Sequence, residues 1–146
     1  MDYPDYPAKV VEDIVRLRRK FEASGLPAKK VDENLLIGTW NIRAFGGLFQ
    51  GWTENPGSPK RNLRGMAVIA EIVRNFDVCA IQEVKRETTA IRMLQEEFLG
   101  PHWGLILSDV TAGDKGNSER LAYLYDRRRV VPSGFVTGNA IMSQKR

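Results

Sequence analysis

The chain has one cysteine, Cys79, and one histidine, His102. A single thiol excludes an intramolecular disulfide and any zinc site built on cysteine pairs, and its place in an apolar run reads as a small buried side chain. His102 stands beside Pro101 and reads as a linker or core-edge residue. Long apolar runs are missing as well: no window approaches the roughly 20 residues of a membrane-spanning helix. The stretch Met1 to Pro7 is acidic and proline-broken, without the basic start and apolar run of a secretory signal. Internal repeats and low-complexity tracts are absent. These absences point to a soluble, cytoplasmic protein.

What is present fits one globular domain: 146 residues, 42% hydrophobic and 27% charged. The formal charge of +4 permits an anionic partner without the charge density of a nucleic-acid-binding tail.

Val10, Ile14, Leu17 and Phe21 recur at steps of four, three and four, which predicts an amphipathic helix from Ala8 to Ser24, stopped by Gly25 and Pro27. Its other face carries Arg16, Arg18, Arg19 and Lys20 and reads as solvated. After a polar connector to Asn34, Leu35 to Ile42 is apolar and short, and suits a strand buried on both faces. Ala44 to Arg61 reads as a long loop, and loops of that length are usually functional. Asn62 caps a helix from Leu63 to Phe76 with Leu63, Met66, Ile69, Ala70 and Val73 inward. Asp77 to Gln82 is the second strand. Thr88 caps a third helix through Leu99, stopped by Gly100 and Pro101, and Trp103 to Ser108 is a third strand. Beyond a polar loop, Arg120 to Tyr125 and Val130 to Val136 read as a hairpin across Asp126 to Arg129. The order indicates an α/β fold with a mixed sheet.

Ligands in open α/β sheets collect beyond the carboxyl ends of strands, and Asn41 and Glu83 both fall at such ends. Magnesium takes hard oxygen ligands and keeps several waters, so one carboxylate supplemented by substrate phosphate can hold it. Glu83 suits that role. Asn41 offers an acceptor and two donors without adding charge, and can orient a carboxylate or a phosphate oxygen. Either residue alone is also what an ordinary strand end looks like. Arg43, two residues after Asn41, is the candidate phosphate contact, whereas Arg127, Arg128 and Arg129 read as a solvated turn. Trp40 and Trp103 read as core aromatics.

Three segments, Gly38-Thr39-Trp40-Asn41-Ile42-Arg43, Asp77-Val78-Cys79-Ala80-Ile81-Gln82-Glu83-Val84 and Gly116-Asn117-Ser118-Glu119-Arg120-Leu121-Ala122-Tyr123-Leu124-Tyr125, occur in one order. In these segments the chain resembles the endonuclease/exonuclease/phosphatase superfamily, which includes pancreatic deoxyribonuclease, abasic-site endonucleases, sphingomyelinases and inositol polyphosphate phosphatases. The likeness spans roughly Leu35 to Phe135, the first half of such a domain. It implies half of a four-layer α/β/β/α sandwich, with helices on the outer face of a mixed sheet. Glu83 would be the ligand to Mg2+, or alternatively Mn2+, and Asn41 the active-site amide. Glu119 matches a glutamate that orients a catalytic histidine in deoxyribonuclease-like members.

The family's second half supplies further aspartates and an aspartate–histidine pair that are not found here, and His102 matches none of those positions. The expectation is therefore an amino-terminal helix and connector over 1–34, then a truncated phosphoesterase domain over 35–146. Complete, it would hydrolyse phosphodiesters in nucleic acid, DNA first; alone, the chain is expected to be inactive. The alternatives are an inositol or lipid phosphatase of the same superfamily and an inactive half-domain serving binding or assembly. A half-sandwich would also leave an apolar sheet face uncovered, inviting self-association.

Overall fold

A computed structural model describes residues 5–109 and 118–133. Helix α1 spans Ala8–Ala23, and its apolar stripe puts Val10 and Ile14 into the core. Strand β1, Ile37–Phe45, leads to two short strands, β2 (Leu48–Phe49) and β3 (Arg61–Asn62), which pair in parallel. Strand β2 and the first residue of β3 lie inside 44–61, the segment whose composition suggested only loop. The side chain of Asn62 accepts the Gly65 amide at 2.8 Å, the expected cap of α2, Leu63–Val73. All five residues of its anticipated stripe are buried.

Strand β4, Val78–Lys85, follows. Helix α3, Thr89–Met93, widens into a π-helical turn over Leu94–Leu99. It ends where Gly100 adopts φ 87°, a left-handed conformation that glycine enters without a Cβ penalty. Thr88 makes no side-chain cap there; its hydroxyl instead accepts from Arg92. Strands β5 (Trp103–Leu107) and β6 (Glu119–Asp126) complete the described elements.

The four-stranded sheet has the order β1-β4-β6-β5, with β1 parallel to β4 and the other pairs antiparallel. The molecule is thus mixed α/β, with three helices among the described residues. One face of the sheet contributes Ile42, Phe45, Cys79, Ile81, Val84, Trp103, Ala122 and Leu124 to the same core as the buried helix residues. The opposite face exposes Ile37, Thr39, Asn41, Gln82 and Leu121 and half-buries Val78, Ala80, Ile106, Tyr123 and Tyr125. On it the Tyr125 ring lies so close over Gly104 that a Cβ there would meet the ring at 2.1 Å.

The sequence expectation of a first strand buried on both faces is therefore corrected. Ile37 is 66% exposed and Leu35 51%, because among the described residues helices cover one side of the sheet only. The expected hairpin is also not formed: β6 pairs with β4 and β5, and residues 130–133 are not strand. Residues 134–136 of that expectation, and Gly116 and Asn117 of the third matched segment, lie outside the described residues.

Residues 127–129 form the expected turn, and Arg127 and Arg128 are exposed, although Arg128 also binds the buried Asp126 through two side-chain nitrogens, at 2.9 and 2.7 Å. Only Arg129 departs from the solvated reading. Arg129 reaches the buried Asp77 at 3.0 Å. Cys79 is 1% exposed, and burial pushes its thiol up to about 11. No helix among the described residues is long and apolar enough to cross a membrane.

Candidate metal-binding site

The carboxyl ends of β1 and β4 lie side by side because the two strands are parallel neighbours, with Asn41 opposite Gln82. Beyond that pair both strands leave regular geometry. Ile81 and Val84 are both fully buried although they are three residues apart, which strict alternation does not allow. Gln82 and Glu83 together occupy the span that faces Leu121 on β6, where the β4–β6 register shifts between Ile81 and Val84. This is a β-bulge, and bulges re-aim side chains next to functional sites.

Glu83 takes φ 59° there and Ala44, across on β1, takes φ 46°. A non-glycine residue held in this left-handed region costs on the order of 1–3 kcal/mol. The compensating contacts converge on the Glu83 carboxylate. Asn41 donates from Nδ2 to Oε1 at 2.7 Å, and the Ala44 amide donates to Oε2 at 3.1 Å. The Asn41 bond, then the Ala44 bond, hold the Glu83 carboxyl below the usual glutamate range against a desolvation effect, and Lys85 and Arg43 add a favourable positive field. The result is a carboxylate that stays ionised, with one donor on each oxygen and lone pairs left over.

Asn41, Gln82, Glu83 and Glu119 line an open cleft of about 490 Å³, with Ser108, Asp109, Arg120 and Leu121 on its other wall. The sequence-based candidates Asn41, Glu83 and Glu119 thus come together. Glu119 opens β6, and its Oε1 accepts from Lys85 Nζ at 2.5 Å. His102 precedes β5 at the far end of the sheet: the next residue, Trp103, pairs with Asp126, seven residues along β6 from Glu119. Arg43 is exposed on the same side of β1 as Asn41 but does not line the cleft, and its carbonyl accepts from Arg61 at 2.8 Å.

Sequence reasoning missed Gln82, Ser108, Asp109 and Arg120. Gln82 could have been found, since two polar residues between Ile81 and Val84 are the pattern a bulge leaves. Arg120 carries an Nε that is buried and has no hydrogen-bond partner among the described residues. Another cleft, of about 470 Å³, lies between the ends of α1 and α2. Its Arg18 and Arg74 are drawn onto the buried Glu71, at 2.6 and 3.4 Å.

Comparison with models of known protein families finds no match, and comparison with curated proteins finds none. The site is read from its own geometry.

Proposed function

We propose that this chain carries the first part of a metal-dependent phosphoesterase site of the endonuclease/exonuclease/phosphatase kind. Glu83 is the ligand for Mg2+ or Mn2+, Asn41 the amide that holds it, and phosphodiesters of nucleic acid, DNA first, the substrate. The observation that carries this reading is the 2.7 Å bond between Asn41 and Glu83 at the open carboxyl ends of two parallel strands.

An ionised carboxylate with unused lone pairs facing a cleft fits a hard divalent cation. When bound, such a cation offsets phosphate charge and activates a water. Asn41 fixes the orientation of Glu83. Arg43 and Lys85 attract the phosphate, and Glu119, anchored on Lys85, is the acid against which an imidazole would be oriented. The open face carrying Ile37, Leu121, Tyr123 and Tyr125 supports the four-layer reading, in which a second sheet covers it. A second copy of the chain could serve the same purpose.

A second reading rests on a different observation. Among the described residues no group of three or more His, Cys, Asp or Glu is placed to hold a metal. One carboxylate binds Mg2+ weakly, and the single histidine stands at the far end of the sheet, so the chain alone would act as a binding or assembly half-domain. An inositol or lipid phosphatase differs from the first reading only in substrate.

Titrating the isotope-labelled chain with Mg2+ tests the metal reading. Chemical-shift changes centred on Asn41, Glu83 and Ala44 that vanish in Glu83→Gln support it, and changes elsewhere or none overturn it. Plasmid cleavage separates the readings. Cleavage abolished by Glu83→Ala shows a complete site, whereas no metal-dependent cleavage above background favours the half-domain.

A further inference from the structure

Asp77, immediately before β4, is fully buried at the pole of the sheet opposite the candidate site. Its Oδ2 accepts the Leu36 amide at 2.7 Å. Its Oδ1 accepts from Arg129 Nε at 3.0 Å and lies 3.6 Å from Lys29 Nζ. The backbone repeats the grip, since the amides of Asp77 and Val78 both donate to the Leu36 carbonyl, at 2.7 and 3.2 Å. Arg129 Nη2 also donates to the carbonyls of Lys30 and Asn34, at 2.9 and 2.6 Å. One carboxylate thus ties together the connector ahead of β1, the start of β4 and the turn after β6.

Within β1 the fully seated side chains, Ile42 and Phe45, stand only at its carboxyl end. A one-residue slip exchanges the two faces of a strand, and what resists it is a buried set of side chains on one of them. On the core side of β1, ahead of Ile42, stand only Trp40, which is half-buried, and Gly38, whose one contribution is the Phe76 ring packed over it, 2.9 Å from where a Cβ would sit. Leu35, Leu36 and Ile37 are apolar in succession, so a shift there exchanges one aliphatic residue for another. From the Leu36 clamp the register runs unbroken, Ile37 opposite Val78 through to Asn41 opposite Gln82. A slip of one would carry Asn41 to the core side, away from Glu83.

We propose that Asp77 and Arg129 form a register lock for β1 against β4, a positioning pair that holds Asn41 on Glu83 from roughly 16 Å away along the strand, at about 3.3 Å per residue. The inference rests on the Asn41–Glu83 geometry and not on the metal chemistry proposed for it.

The test uses the full chain without metal, as wild type, Arg129→Ala and Arg129→Lys. Hydrogen exchange is read at the Ala44 amide and in the β5–β6 ladder, and the Glu83 carboxyl is titrated by carbon NMR. In Arg129→Ala, Ala44 loses protection and the Glu83 midpoint moves up toward the ordinary glutamate value, while the β5–β6 amides stay protected. Arg129→Lys keeps the charge on Asp77 but not the fork to Lys30 and Asn34, and should fall between the two. An unmoved Glu83 midpoint in both variants overturns the lock, as does protection lost in equal proportion throughout the sheet. If Arg129→Ala does not fold, the lysine variant decides alone: no change at Ala44 and Glu83 overturns the proposal. Failure of wild type to bind Mg2+ would remove the metal reading and leave this one standing.

Discussion

Asn41 and Glu83 meet across two parallel strands, amide nitrogen to carboxylate oxygen, with the Ala44 amide closing on the second oxygen. Both bonds favour the ionised acid. In Asn41→Ala the first is gone, and the Glu83 midpoint should rise toward its reference value of 4.5. Carbon NMR of the side-chain carboxyl reads this directly. An identical titration in wild type and variant would mean that the bond does not persist in solution.

Metal binding should carry the same signature. Because Glu83 is ionised well into the acid range, Mg2+ affinity should be level between about pH 6 and 8 and decline only as the carboxyl protonates, below roughly pH 4.5. Isothermal titration at several pH values measures it. A transition between about pH 6 and 8 would place the cation on a group other than Glu83.

Asp77 governs acid stability. Burial pushes its carboxyl up, but the Leu36 amide, Arg129 and Lys29 outweigh burial and leave it below the usual 3.8. A depressed folded-state value contributes stability above the unfolded-state value, and that stability is lost as the pH falls through the folded value. Arg128, through its side chain and its backbone amide, and then Lys29 hold Asp126 low against its burial, and its contribution runs in the same direction. Urea midpoints should therefore be flat down to about pH 5 and drop below about pH 4. Asp77→Ala should cost about 3–5 kcal/mol at neutral pH, since it strands buried charge. A loss under 1 kcal/mol would show that the network is not buried in solution.

The packed core and the open face of the sheet should respond unequally to substitution. Ile14→Ala, in α1, removes a fully buried side chain and should cost about 2–5 kcal/mol. Ile37→Thr and Leu121→Thr, on the open face, should stay within about 0.5 kcal/mol and lower any concentration-dependent association seen by sedimentation. Equal destabilisation at all three positions would mean that the open face is covered.

The pattern of legibility follows from range. Helices α1 and α2, the Asn62 cap and the polar ends of β1 and β4 are local features, and local spacing revealed them. The bulge at Glu83 was missed because alternation assumes one residue per step. The exposure of Ile37 was missed because an apolar run does not say whether one face or both are covered. Arg129 looked solvated because its acid lies 52 residues earlier, and no local pattern records such a pairing. Glu119 drew attention through a resemblance involving a histidine, whereas in the fold it meets Lys85, directly opposite on the neighbouring strand.

The solitary thiol of Cys79 offers a clock. Sealed behind the helices and weakly acidic, it can meet an alkylating reagent only after β4 has parted from its cover. The rate at which a mass tag accumulates on the intact chain would therefore count openings of the central ladder one molecule at a time. A ligand that grips the far end of that strand should slow the count.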